Sequence, residues 1–260
     1  MQYLLSRAAR PVLTRLARQR TLCAFDFDGT LAPIVDRPER AGMRVRTRKL
    51  LGGLATLYPC IVVSGRARSD VLGKLRSVKL AGVIGNHGAE TDVTDGKSNR
   101  RIKQWKDALE ADLLALPGVW VEDKGLSLAV HYRQCKQKAQ ARRRILAAAR
   151  DLKNVRVFGG KQVVNLVMDK APHKGDALAA ERDRLKCNSI LYIGDDDNDE
   201  DAFGLEGKLF PVRIGRKGDS HARYYLRSQA EIDELLELLG RLRSKAALSA
   251  RPARARSPLR

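Results

Sequence analysis

The segment Leu22-Cys23-Ala24-Phe25-Asp26-Phe27-Asp28-Gly29-Thr30 carries an apolar run directly into two carboxylates and a glycine. Alternate side chains of an extended segment share a face, so Asp26 and Asp28 point to one side at a strand end. The Gly-Thr that follows permits a sharp turn. Two carboxylates that close suit a hard divalent cation such as Mg²⁺, and one is also available as a nucleophile or general acid. An Asp-Gly pair can equally mark a hairpin turn. Here the next residues, Leu31-Ala32-Pro33-Ile34, are apolar too, which argues against a surface turn.

Three further short runs repeat the pattern. Cys60–Val63 leads into Ser64-Gly65-Arg66, Gly82–Ile84 into Asn86-His87-Gly88, and Ile190–Ile193 into Asp195, Asp196, Asp197 and Asp199. Continuous apolar runs fit strands covered on both faces, as in a parallel sheet. Helical segments at Thr47–Tyr58 and Ser69–Leu75 lie between some of them, and this alternation predicts an α/β, doubly wound, Rossmann-like fold. Open parallel sheets bind ligands outside the carboxyl ends of their strands. Four strands that each end in polar residues therefore describe one cleft.

The residues at those ends are chemically suggestive. Asp195-Asp196-Asp197-Asn198-Asp199-Glu200-Asp201 places six acids in seven positions. Unpaired, such a cluster repels itself, and a bound cation relieves that. The Ser64 hydroxyl can donate to a phosphate oxygen, assisted by the backbone of Gly65 and the helix start that follows. Lys174, in Pro172-His173-Lys174-Gly175, can neutralise a phosphoryl group or hold a carboxylate, although a lysine there can also be solvated.

Residues 89–167 read differently. Val119–Glu122, Leu126–Tyr132, Val155–Phe158 and Gln162–Met168 are strand-like, with a basic helix over about Lys136–Leu152. The order β-β-α-β-β predicts an antiparallel sheet with helices on one face, an α+β module inserted into the α/β domain. The expected organisation is thus a basic helix over 1–20, a core over 21–88 and 168–240, an inserted module over 89–167, and a basic disordered tail over 241–260.

Composition narrows the function classes. The 260 residues carry a net charge of +20, which invites a nucleic-acid reading. Residues 1–20 hold five Arg and no acid, and residues 241–260 hold six Arg, one Lys and no acid, so the two ends supply +12 of that charge. Aromatic content is only 5%, too sparse for base-stacking platforms. No specific nucleic-acid partner is expected. No run is long and apolar enough to span a membrane. The first 20 residues lack the apolar core of a signal peptide; they are Arg-rich like a transit peptide, yet their apolar spacing suits a short helix packed on the domain. The four cysteines are scattered without a CxxC pair, and buried reduced thiols in a cytoplasmic monomer are expected.

The ordered set Asp26-x-Asp28-Gly-Thr, Ser64, Lys174 and Gly194-Asp-Asp-x-x-Asp199 resembles the haloacid-dehalogenase-like phosphatases over residues 21–240. Within that superfamily it is similar to the trehalose-phosphatase family, through Asp26–Ile34, Ser64-Gly-Arg66, Asn86-His-Gly-Ala-Glu90, His131-Tyr-Arg133, Lys174-Gly175 and Gly194–Phe203. The resemblance implies that Asp26 attacks phosphorus and that Asp28 protonates the leaving oxygen and then activates water. It implies Mg²⁺ on the Asp26 carboxylate, the Asp28 backbone carbonyl and Asp195, with Asp196 and Asp199 in support, and a phosphoryl group held by Ser64 and Lys174. It implies that the inserted module is a cap meeting a sugar phosphate. Candidate sugar contacts are Gly65, Arg66, His87, Glu90, Lys124, His131, Arg133 and Asn165. His131 could instead be structural, and Arg133 could pair with an acid of the cap.

Two positions depart from the family pattern. Asn165 stands where a Glu is usual, in Val164-Asn165-Leu166-Val167-Met168, and Asn198 stands where Thr is common. Asn165 loses a carboxylate's charge-assisted hydrogen bonding, which bears on the sugar and not on phosphoryl chemistry. The favoured substrate is trehalose 6-phosphate. Another sugar or glycoside phosphate, such as an osmolyte precursor, is the alternative, and a basic nucleic-acid-associated protein is the reading from a different class.

Overall fold

A computed structural model describes residues 1–76, 78–92 and 100–249. In chain order the elements are β1 (Gln2–Tyr3), α1 (Arg10–Arg18), β2 (Thr21–Phe25), α2 (Val45–Ala55), β3 (Cys60–Val63), α3 (Arg68–Leu75) and β4 (Gly82–Ile84). Then come α4 (Arg100–Leu113), β5 (Trp120–Asp123), β6 (Ser127–His131), α5 (Lys138–Arg150), β7 (Val155–Gly160) and β8 (Val163–Met168). The chain closes with α6 (Lys174–Arg184), β9 (Ser189–Gly194), α7 (Glu200–Phe203), β10 (Leu209–Ile214), β11 (Tyr224–Leu226) and α8 (Ile232–Ser249).

The first sheet has seven strands in the order β1-β11-β10-β9-β2-β3-β4, and every pair is parallel. Its central strands are buried on both faces, which explains their unbroken apolar sequences. Alternation divides each strand between two cores. Cys23, Phe25, Leu191 and Ile193 pack toward Leu13 and Leu16 of α1, Leu51 and Leu54 of α2, and Leu235 and Leu239 of α8. Leu22, Ala24, Ile190 and Tyr192 pack toward Ala177 and Leu178 of α6 and Phe203 of α7. Helices on both faces of a parallel sheet make the doubly wound architecture read from the sequence.

The second sheet is antiparallel, in the order β5-β6-β8-β7. Leu128, Val130, Val164 and Leu166 point to one face and pack on Ile102, Trp105 and Leu109 of α4 and Ile145 of α5. The pleat then sends Ala129, His131 and Asn165 to the opposite face, toward the carboxyl ends of the parallel strands. The α+β insertion is a cap whose uncovered sheet face looks into the cleft.

The ends of the chain correct the sequence reading. Residues 1–20 are not one helix: Gln2–Tyr3 extends the parallel sheet beside β11, with Gln2 N donating to Arg223 O at 2.9 Å and Leu4 N to Tyr225 O at 3.0 Å. An open sheet edge offers unpaired groups that a short extended segment satisfies. The helix is confined to Arg10–Arg18, and Pro11 in its first turn is where proline suits a helix start. Nor is 241–260 a uniformly disordered tail, because α8 continues to Ser249. Arg243 anchors it, donating to Ala17 O at 2.9 Å and Gln19 O at 2.8 Å while its guanidinium lies over the Tyr58 ring. Residues 250–260 lie outside the described residues. The sequence reading contains none of α4, α7 and α8 nor strands β1, β10 and β11. Pro211 and Arg213 interrupt the apolar run of β10, and β11 has only three residues.

Candidate active site

The floor of the cleft is a buried ionic cluster built from three segments. Asp26 follows β2, Lys174 begins α6, and Asp199 lies in the turn after β9. Lys174 Nζ donates to Asp26 Oδ1 and to Asp199 Oδ1, each at 2.7 Å, and all three side chains are buried. Asp199 is fully engaged: Oδ1 also accepts from Tyr192 OH at 2.6 Å, and Oδ2 accepts from the backbone N–H of Asp195 and Asp196 at 2.9 and 3.0 Å. With four donors on its carboxylate, Asp199 stays ionised despite burial, held below its ordinary range by Lys174 and Tyr192. Burial would lower Lys174, but Asp199 and Asp26 hold its ammonium above the usual lysine value. Burial pushes the Asp26 carboxyl up, against the pull of Lys174, with Asp199 and Asp195 adding to the rise.

Asp195 completes the cluster. One oxygen each from Asp26, Asp195 and Asp199 lie within 4.8 Å of one another. Burial and the neighbouring Asp199 push the Asp195 carboxyl up to about 7, against the Lys161 ammonium that lies on its Oδ2. A crowded, all-oxygen set under low dielectric, already drawing a lysine into contact, fits a hard divalent cation such as Mg²⁺. Asp26 and Asp195 have the free oxygens to hold one. Asp199 lies at the same point while its carboxylate also positions the loop and Lys174, and the Asp28 carboxylate is paired with Arg66. Asp196 lines the cleft, and its Oδ2 accepts from Lys161 N at 3.3 Å.

Gly29 makes the close approach of β2 and the Asp195 loop possible. Its φ is +81°, and a Cβ built on it would overlap the Asp195 carboxylate. Gly29→Ala is accordingly expected to displace Asp195, with Mg²⁺ affinity falling by about 10-fold or more in a titration and the melting temperature falling as well, because alanine is strained at that φ.

The Ser64 and Asn86 segments form the next wall. Ser64 is buried, and its Oγ accepts from Arg66 N at 3.2 Å. Arg66 grips the Asp28 carboxylate through Nε at 2.5 Å and Nη2 at 2.8 Å, and also reaches Asp70 at 2.7 Å. The fork geometry fixes Asp28 over the cleft. Asn86 and His87 adopt left-handed conformations, φ +48° and +59°. That turn places His87 edge-on against Phe158 of the cap, with ring centroids 4.8 Å apart. Among the described residues neither ring nitrogen of His87 makes a well-formed hydrogen bond, although the Asn165 amide lies close by, and burial together with Lys124 and Lys174 keeps the imidazole neutral. Glu90 is not a cleft residue; its carboxylate accepts from Arg68 N and Asn86 Nδ2, each at 2.7 Å, and so braces the Asn86 turn.

The cap supplies the opposite wall. Lys124 Nζ donates to Gly65 O at 2.9 Å, Ser127 Oγ to Asn86 Oδ1 at 2.5 Å, and Arg133 Nη1 to Val35 O at 2.9 Å. These bonds, with Lys161 on Asp195, hold the cap against the parallel-sheet domain. His131 stacks on Trp120 at 4.1 Å, and its Nε2 meets Glu122 Oε2 at 2.8 Å. Burial would raise Glu122, but His131 and Lys124 hold it ionised, while burial lowers Lys124. The cleft between the walls has a volume of about 550 Å³ and is lined by Asp26, Asp28, Lys124, His131, Arg133 and Asn165 among others. That size and polarity suit a small, hydroxylated, anionic ligand.

This geometry agrees with the relationships of the sequence. Residues 24–213 match the trehalose-phosphatase family model. The chain belongs to the trehalose-phosphatase family. The trehalose-phosphate phosphatase of Mycobacterium tuberculosis is 34% identical over 250 residues, covering 87% of this chain and 63% of that relative. The corresponding protein of Mycobacterium ulcerans is 33% identical over 243 residues, covering 85% and 61%. This chain thus spans less than two thirds of those relatives. The C-terminal domain of the Candida albicans trehalose-6-phosphate phosphatase superimposes with a TM-score of 0.77 at 22% identity, over 89% of this chain and 96% of that one. An Aspergillus fumigatus trehalose-6-phosphate phosphatase gives 0.62 at 23% identity, over 93% and 99%.

For this member of the trehalose-phosphatase family, the residues of the site that escaped the sequence reading include Lys161, Glu122 and Tyr192. Lys161 sits in the turn between β7 and β8, after Gly159-Gly160, where a lysine reads as solvated. Glu122 shares the cleft-facing side of β5 with Lys124 by alternation, a signal that was there to use. Tyr192 is a buried strand residue whose hydroxyl reaches Asp199 only in the folded state.

Proposed function

We propose that this chain is a phosphoric monoester hydrolase that acts on trehalose 6-phosphate through an aspartyl-phosphate on Asp26. The observation that carries the reading is Asp26 at a strand end, held by Lys174 beside Asp195 and beneath a polar, cap-covered cleft. Lys174 keeps the Asp26 carboxylate fixed while its second oxygen attacks phosphorus, forming the Asp26–phosphorus bond and breaking the bond to the sugar oxygen. Protonated Asp28 gives its proton to that oxygen. Water then attacks phosphorus and passes a proton to Asp28, now an ionised carboxylate of the kind Arg66 grips. The acyl phosphate breaks and Asp26 is regenerated. Mg²⁺, held by Asp26 and Asp195, would neutralise the phosphoryl oxygens.

Ser64 and the neutral His87 are suited to the phosphoryl group and a sugar hydroxyl, and the cap cations Lys124, Arg133 and Lys161 to the outer end of the ligand. Loss of one charge-assisted contact there weakens ground-state and transition-state binding alike. Lys161→Ala is therefore expected to raise KM by about 10-fold or more with a smaller change in kcat. Asn165 in the cleft favours one second reading, a phosphatase for a different sugar or glycoside phosphate.

Phosphate release from a panel of sugar phosphates, with and without Mg²⁺, tests the proposal. Trehalose 6-phosphate is expected to turn over fastest and only with the ion. Equal turnover of glucose 6-phosphate would remove the substrate assignment, and inactivity on every ester would remove the hydrolase assignment.

A further inference from the structure

The basic N-terminal segment takes no part in the cleft, yet the fold gives it a defined place. Strands β11, β10 and β2 are each preceded by a cation, Arg223, Lys208 and Arg20, and β9, between β10 and β2, by Asn188. Neighbouring strands lie about 4.8 Å apart, so these side chains form a row across the amino end of the sheet, opposite the cleft. Arg15 and Arg18 of α1 face the same row, and together they line a hollow of about 680 Å³ to which the described residues contribute no carboxylate. The basic strip continues along α1 to Arg7 and Arg10.

Several cations elsewhere are paired with acids: Arg44 meets Asp233, Arg184 meets Glu181 and Arg213 meets Glu200. Among the described residues, the five cations around this hollow form no ion pair and are exposed. Two are also pre-organised. Arg15 and Arg223 stand over the Phe210 ring with their guanidinium carbons 5.1 and 5.9 Å from its centroid. Arg20 is tied by Nε to Leu185 O at 3.0 Å. Holding like charges together without acids is unfavourable, and an anion in the hollow reverses the sign of that interaction.

We propose that the amino end of the parallel sheet binds a short oligophosphate. The chemistry of the hollow selects that occupant. Phe210 is buried beneath its two arginines and offers no face for a base to stack on, so single-stranded nucleic acid lacks its usual platform. The apolar side of α1 is already packed in the core through Leu13, Leu16 and Ala17, leaving nothing to enter a lipid surface. A concave site of this size, lined by guanidinium forks and one ammonium, suits a compact ligand with several phosphates in series. Inorganic oligophosphate and the phosphate chain of a nucleotide share that chemistry.

Isothermal titration of the full chain, free of Mg²⁺, with sodium tripolyphosphate, ATP and AMP tests the proposal. Tripolyphosphate is expected to bind, AMP to bind far more weakly, and added salt to weaken both. Comparable affinities for tripolyphosphate and ATP identify the phosphate chain as the recognised part; ATP binding without tripolyphosphate binding contradicts it. The double variant Arg18→Glu, Lys208→Glu alters two exposed side chains that make no hydrogen bond among those described. Removing hydrogen bonds to a charged group lowers affinity by about 10-fold or more apiece, so this variant should lose tripolyphosphate while its phosphate-ester hydrolysis is unchanged. Absence of binding to the parent, equal binding by the double variant, or loss in Lys161→Ala instead would overturn the assignment. So would tighter binding of a single-stranded RNA that the double variant abolishes, which would make the surface a nucleic-acid one.

Discussion

Asp26→Asn is expected to lower the rate of phosphate release by about 10⁴-fold or more while leaving the protein folded. The amide keeps the size and shape of the carboxylate but is a far weaker nucleophile toward phosphorus. It also removes one anion from a cluster in which Asp26, Asp195 and Asp199 crowd within 4.8 Å. Relief of that repulsion offsets the weakened bond to Lys174, so the melting temperature is expected to hold or to rise slightly. A rate that falls only a few-fold would mean that another group attacks phosphorus. A melting curve that collapses would mean that Asp26 is chiefly structural.

The second large effect is expected at Lys174. Its ammonium is 1% exposed and is the shared partner of Asp26 and Asp199. Truncation to Ala leaves two buried carboxylates facing each other without a cation. Breaking a buried ion pair from one side costs about 3–5 kcal/mol, because the remaining charge is stranded in low dielectric. For a domain of this size each kcal/mol moves the melting temperature by about 2–4 °C, so calorimetry should show a loss on the order of 10 °C. Activity should vanish with it. The double variant Lys174→Ala, Asp199→Asn should recover part of the stability and none of the activity. Equal melting temperatures for Lys174→Ala and the parent would contradict the buried-cluster account.

The two variants also show what could be read from the sequence. The four apolar runs and their polar ends were legible because a strand buried on both faces has no alternation to obscure it. The ordered Asp, Ser, Lys and Asp motifs could be assigned to one cleft for the same reason: parallel strands all end on one side. Strand β10 was harder to see, since Pro211 and Arg213 break its run, and β1 pairs with a strand 222 residues distant in register, Gln2 with Tyr224. Within the site, sequence order could not separate ligands from braces. Glu90 and Asp199 look like cleft acids in the motif, yet their oxygens are taken by backbone amides, Asn86, Tyr192 and Lys174. Lys161 was invisible for the opposite reason, as an ordinary turn lysine until the cap folds onto Asp195.

The most direct measurement of the central claim is a rapid acid quench during turnover of trehalose 6-phosphate with Mg²⁺, followed by mass analysis of the tryptic peptide that carries Asp26. With Asp28→Asn slowing the second step, that peptide is expected to gain the mass of one phosphoryl group on Asp26. An unmodified peptide alongside continuing phosphate release would contradict nucleophilic attack by Asp26.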